Sequence, residues 1–229
     1  MHTLEPTTDD VRPRLRDTAR QDGARAALTA LHRSAGAHAL VHGPAGHAVA
    51  PAALIADATR AGRPDALAPR HPDRERELTT PLLAALGLAA VRVPGVPGAT
   101  SMQYTAWDTA VVWLRLGLTQ RLLDGVLSHL GTRTFGDTPL LRQPVVKTEL
   151  AAVAVSLLEA ESALTAAHEP DGPAARQLHD LLTATDRSLL KLLGAWGLAT
   201  DGPGGTAYVS HVLADAYAPP APHPYEEAA

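Results

Sequence analysis

Eleven histidines and no cysteine bound the chemistry that this 229-residue chain can attempt. Without thiols there is no disulfide framework, no thiolate nucleophile and no cysteine-held zinc or iron–sulfur centre, and a reducing cytoplasm suits the sequence. Four histidines, His32, His38, His42 and His47, crowd one stretch. No carboxylate joins them at a metalloprotease spacing, so solvated or packed imidazoles account for them and no metal site is expected. His179-Asp180 is a lone pair without further ligands. No nucleophile elbow or phosphate loop occurs, and Gly202-Pro203-Gly204-Gly205 follows a helical stretch rather than a strand, as a linker does. Arg70, Arg74 and Arg76 alternate with Asp73, Glu75 and Glu77, the pattern of a solvated face.

Composition narrows the partners. A net charge of −4 gives no basic field for phosphate, and 3 Trp, 4 Tyr and 1 Phe are few for stacking on bases, so nucleic acid is not an expected partner. The longest apolar run, near Leu82 to Val91, falls short of a membrane span, and MHTLEPTTDD is too acidic for a secretion signal. These features point to a cytoplasmic protein.

The elements that must position any site are mainly helical, since Ala and Leu dominate. Residues 1 to 35 read as an exposed helix, weakened in its middle by Gly23. From Gly36 to Gly98, glycines and prolines break the chain into short pieces. There Ala39 to His42 and Ala48 to Val49 suggest a small hairpin, Ala89 to Val93 another strand, and Thr80-Pro81 a capped helix start. After Gly98 the periodicity becomes regular. Trp107, Ala110, Val111, Leu114, Leu118, Leu122, Val126 and Leu130 step by three or four residues, marking a helix of about 25 residues. A second helix runs from Val146 towards His168, a third from Pro173 to near Gly197, and a fourth from Thr206 to Ala218. Four such helices with short connections predict an antiparallel four-helix bundle over 101–218. Residues 1–100 pack on it as an arm or lid, and 219–229 form a proline-rich tail.

Three motifs in the bundle half carry a resemblance. Arg133-Thr134-Phe135-Gly136, then Pro139-Leu140 and Gln143, lies between the first two bundle helices and holds the chain's only Phe. Lys191-Leu192-Leu193-Gly194-Ala195-Trp196-Gly197 closes the third helix, and Leu213-Ala214-Asp215-Ala216 lies in the fourth. This pattern resembles the acyl-CoA dehydrogenase family. Its C-terminal bundle has an Arg-x-x-Phe-Gly-x-Pro-Leu turn followed by Gln, a Gln-x-x-Gly-Gly-x-Gly turn and a Leu-Arg-Asp-Ala segment. The present chain departs in having Lys191 in place of Gln, Ala195 in place of Gly, Ala214 in place of Arg, and one residue fewer between Arg133 and Phe135.

The resemblance implies that Arg133, Phe135, Gln143, Lys191, Gly194 and Gly197 meet the diphosphate and adenosine end of an FAD held mainly by a neighbouring subunit. Arg133 offers a planar cationic fork, Lys191 a point charge, and the glycines close approach to the backbone. It also implies a homo-oligomer, or a hetero-oligomer with a larger family member, acting on an acyl thioester or related small molecule. Dehydrogenation in the family needs a carboxylate base. Glu226, in Tyr225-Glu226-Glu227, is one candidate, and Asp108, near the start of the first bundle helix, is the other. An aspartate there also caps a helix or answers its dipole. The family's N-terminal helical domain and middle β-barrel do not fit within the first hundred residues. Three readings follow: a shortened flavoenzyme subunit, in a setting such as secondary metabolism; a flavin-free descendant using the bundle as a pocket or interaction scaffold; and a flavin monooxygenase, which needs no such base.

Overall fold

A computed structural model describes residues 8–94, 105–166, 170–198 and 202–219. The N-terminal stretch forms two helices rather than one, α1 (Thr8–Gln21) and α2 (Ala24–Ser34). They break at Gly23, whose φ of +85° only glycine adopts without strain. Nor is this stretch exposed: Leu15, Ala19, Ala27, Leu28 and Leu31 are all buried.

The Gly/Pro-rich segment carries more strand than its sequence suggests. It contains β1 (Ala39–Val41), β2 (His47–Pro51), β3 (Arg60–Arg63), β4 (Ala66–Pro69), β5 (Arg76–Glu77) and β6 (Leu88–Arg92), with α3 (Ala52–Asp57) and α4 (Pro81–Ala85) between them. Thr80 caps α4 by accepting the Leu83 N–H at 3.2 Å, with Pro81 in the first turn. The strands form two three-stranded sheets, ordered β1-β3-β4 and β2-β6-β5.

The expected hairpin between Ala39–His42 and Ala48–Val49 does not form. β1 instead pairs parallel with β3, and β2 antiparallel with β6. Two buried side chains satisfy the backbone between them. His32 Nδ1 accepts from the Val41 N–H at 3.2 Å, and its Nε2 donates to the Val49 carbonyl at 3.0 Å. The Tyr217 hydroxyl accepts the Val49 N–H at 2.8 Å. Trp107 sits edge-on to both rings, with centroids 5.6 Å from His32 and 5.2 Å from Tyr217. A scarce resource of aromatic side chains is thus concentrated where helices and strands join.

The bundle forms as its periodicity predicts, from α5 (Ala106–Gly131), α6 (Pro144–Ala166), α7 (Gly172–Leu193) and α8 (Gly204–Tyr217). α5 is its axle: α1, α2, α6, α7 and α8 all pack on it, and every residue from Trp107 to Thr119 is buried. Each leucine buried this way contributes on the order of 2 kcal/mol. One apolar cluster joins α1, α2, α4, β2 and β6 to the first half of α5 and to α8. Another joins the second half of α5 to α6 and α7. Helices α1, α2 and α4 and strands β2 and β6 therefore share an apolar core with α5 and α8.

Candidate functional site

The two family-like turns meet at one end of the bundle. α5 passes into a hairpin of β7 (Thr134–Phe135) and β8 (Thr138–Pro139), which turns at Gly136 with φ +57°. Arg133 is exposed at its base, where its carbonyl accepts the Leu140 N–H at 2.9 Å, and Phe135 is 77% exposed at its tip. Gln143 is half-buried, and its carbonyl accepts from Lys147 to begin α6.

At the same end α7 closes on Gly194, whose N–H donates to the Lys191 carbonyl and whose φ is +57°. Trp196, just beyond, stacks on His129 in the last turn of α5, with centroids 4.0 Å apart and planes 3° from parallel. Desolvation and then the Arg133 charge push the His129 pKa down, so Arg133, His129 and Trp196 form one neighbourhood. Among the described residues the Arg133 and Lys191 side chains make no hydrogen bond or ion pair, leaving two cations at this end to meet anionic oxygen. A side chain added at Gly194 would meet nothing within 4 Å, whereas one at Gly197 would lie 3.1 Å from Leu193 Cβ. Gly194 thus presents open backbone, and Gly197 serves packing.

Asp108 lies at the opposite end of α5, with its side chain fully buried. Thr105 and Asp108 form a capping box, the Asp108 carboxylate accepting from the Thr105 N–H and hydroxyl at 2.9 and 2.7 Å. Arg63 on β3 grips both of its oxygens. This carboxylate is committed to a clamp, which leaves it poorly placed to take a proton from a substrate carbon. Glu226 lies outside the described residues. Of the four clustered histidines, His32 has both ring nitrogens occupied by backbone. Among the described residues no group of three or more His, Asp or Glu side chains is placed to hold a metal ion.

A second polar locus, which the sequence reading passed over, fills the middle of the bundle between α5, α7 and α8. Arg115 is fully buried. Its Nε donates to Ser210 Oγ at 3.2 Å, Nη1 to His179 Nδ1 and the His179 carbonyl at 2.8 and 2.9 Å, and Nη2 to Thr183 Oγ1 at 2.9 Å. Since a guanidinium only donates, His179 Nδ1 must accept, and the imidazole proton resides on Nε2. Burial, followed by the charges of Arg115 and Arg176, holds the His179 pKa well below its usual value, so the ring is neutral. Its Nε2 has no partner.

Asp186 is also fully buried, and neither of its oxygens reaches a hydrogen-bond partner. His211 Nε2 lies 3.7 Å from Oδ2. Burial raises the Asp186 pKa to about 6, outweighing Arg115 and the nearby Ser210 and Thr119 hydroxyls. An unpaired buried polar group costs about 1–3 kcal/mol. Above His179 opens a cleft of about 580 Å³ between α7, α8 and the Pro44–Ala45 turn, with Arg176, Asp180, Thr183, Arg187 and Asp215 around it. Its signal in the sequence is an arginine inside Val111-Val112-Trp113-Leu114-Arg115-Leu116, together with Asp186 at the helical spacing of Leu182 and Leu189.

No family model matches the chain, and no curated protein matches it. Among solved structures it is similar to FkbI, described as for biosynthesis of the methoxymalonyl extender unit of the polyketide immunosuppressant Fk520, with a TM-score of 0.53 at 15% identity. The match covers 90% of this chain and 74% of that one. At this identity the likeness is one of fold.

Proposed function

We propose that this chain is an acyl-CoA dehydrogenase-like subunit of a biosynthetic, flavin-dependent oxidoreductase acting on an acyl thioester or a related small molecule. The observation that carries this reading is the meeting of the Arg133 and Gly194 turns at one bundle end, joined by the His129–Trp196 stack. Two cationic side chains without internal partners suit the diphosphate of an FAD shared across a subunit interface. Arg133 would pair two of its oxygens through the guanidinium fork, and Lys191 would add a point charge. Phe135 and Gln143 flank the same surface, and Gly194 leaves its backbone open to close approach. Bound FAD would supply the hydride acceptor. With Asp108 clamped, an α-proton base falls to Glu226 or to the neighbouring subunit.

The test is the visible spectrum of the purified protein after gel filtration with FAD, alone and together with any co-encoded larger homologue. Retained flavin absorbance, weakened by Arg133→Ala and Lys191→Ala, is the expected result. A protein that stays colourless in every combination would overturn it. In that event the flavin-free reading stands, and the observation favouring it is the cleft above the buried Arg115–His179 pair.

A further inference from the structure

We propose that the cleft between the C-terminal turn of α2, the α2–β1 turn and α3 binds a zwitterionic α-amino acid with an aliphatic side chain. Arg33 takes its carboxylate, and Asp57 together with the bare Nε2 of His38 takes its ammonium. The site shares no residue with the bundle end that carries the flavin reading, and it stands or falls without it.

His38 is set as an acceptor by its surroundings. Its φ of +57° is uncommon for a residue with a side chain, although histidine is among those that adopt it. The His38 carbonyl holds this conformation by accepting both the Thr59 and the Arg60 N–H, at 3.0 and 3.2 Å. Its ring Nδ1 meets the Asp57 carbonyl at 3.2 Å. A carbonyl only accepts, so Nδ1 carries the proton, and in the neutral ring Nε2 keeps a bare lone pair. His38 is exposed and lines a cleft of about 590 Å³, within the roughly 300–1,000 Å³ of small-molecule sites.

Two opposite charges line the same cleft without meeting. Arg33 and Asp57 are both exposed, and neither side chain makes a hydrogen bond or ion pair among the described residues. The C-terminal end of α2 adds partial negative charge to the same wall. A carboxylic acid alone would leave Asp57 and the Nε2 lone pair unanswered. An amine alone would leave Arg33 unanswered, and a phosphate dianion would meet the charge of Asp57. An α-amino acid answers all three groups: the guanidinium fork pairs two carboxylate oxygens, while the ammonium has three N–H donors for the Asp57 carboxylate and the imidazole. Ala37, Ala53 and the half-buried Leu54 supply an aliphatic wall for its side chain.

The experiment uses the full chain without flavin at pH 8. L-leucine, 4-methylpentanoate (leucine without its amine) and 3-methylbutylamine (leucine without its carboxylate) are titrated while the imidazole nitrogens are followed by long-range ¹⁵N NMR. The His38 signals are assigned by their absence in His38→Asn. The expected result is a His38 ring with protonated Nδ1 and bare Nε2, shifted saturably by L-leucine, with either half-ligand binding at least about tenfold more weakly. Arg33→Gln and Asp57→Asn change exposed side chains without internal partners, so both should keep the parental melting temperature. Each should weaken L-leucine binding about tenfold. Arg33→Gln should leave the affinity for the amine unchanged, and Asp57→Asn should not weaken binding of the carboxylate. A proton on Nε2, the absence of a saturable shift with L-leucine, a half-ligand that binds as tightly as L-leucine, or undiminished affinity in either variant would each overturn the proposal.

Discussion

Arg63 holds Asp108 by both carboxylate oxygens, Nη1 to Oδ1 at 3.1 Å and Nη2 to Oδ2 at 2.6 Å. Because Oδ2 also accepts from Thr105, one carboxylate fastens the C-terminal end of β3 to the first turn of α5. Asp108→Asn should cost roughly 3 kcal/mol, since it leaves a partly buried guanidinium without its counter-charge. Urea denaturation would show this as a lowered midpoint, and Arg63→Gln should behave alike. The double variant should lose less than the sum of the two. A stable Asp108→Asn protein that had lost turnover would instead make Asp108 a base.

Asp186 should make the protein less stable as the solution becomes less acid. Its pKa rises from an ordinary 3.8 to about 6 on folding, so between these values the folded chain holds the extra proton. The contribution is fully present below about pH 4 and is lost as pH rises through about 6, a swing of roughly 3 kcal/mol. Asp186→Asn mimics the protonated form. It should raise the melting temperature at pH 7.5 while leaving it nearly unchanged at pH 4, and an equal effect at both would refute the assignment.

His32 acts in the same window with the opposite sign. Burial lowers its pKa from 6.5 to about 4, so the unfolded chain binds the proton first. Its contribution is present above about pH 6.5 and disappears as pH falls through about 4, again on the order of 3 kcal/mol. His32→Gln retains a donor near Nε2 for Val49 but leaves the Val41 N–H unpaired. It should be destabilised by about 1–3 kcal/mol at neutral pH and show a shallower acid limb in thermal melts.

These two groups also show where sequence reasoning stops. Local signals were legible: Thr80-Pro81 opens α4, Pro173 lies in the first turn of α7, and the leucine periodicity of α5 to α8 yields the bundle. Long-range pairing was not, because β1 is three residues long and finds its parallel partner β3 only after α3 intervenes. His32 looks like one of a cluster of imidazoles, yet its role depends on Val41, Val49 and Trp107 arriving from three other elements. At the candidate site, Arg133 and Lys191 were legible from their turns. His179 was visible only as a neighbour of Asp180, and its relation to Arg115, 64 residues earlier, exists only once α5 and α7 are packed.

The seat of α1 on α5 depends on an absent side chain at Gly117. A methyl built there would lie 2.2 Å from the Arg16 carbonyl oxygen and 2.8 Å from Ala19 Cβ, both fixed parts of α1 rather than flexible tips. Gly117→Ala must therefore push α1 outward, and with it the Arg16–Glu161 and Arg20–Asp124 ion pairs that tie this helix to α6 and α5. The gain in helix propensity, about 1 kcal/mol, is smaller than the overpacking cost of about 1–3 kcal/mol, so the net change should be destabilising. Gly125 on the same helix supplies the control. There an added methyl would meet Pro203 Cβ at 3.6 Å, an ordinary contact, and Gly125→Ala should stabilise the protein by up to about 1 kcal/mol. Limited proteolysis should cut the Arg16–Arg20 stretch faster in Gly117→Ala and leave Gly125→Ala at the parental rate. Equal cleavage in both variants would mean that α1 does not rely on this contact.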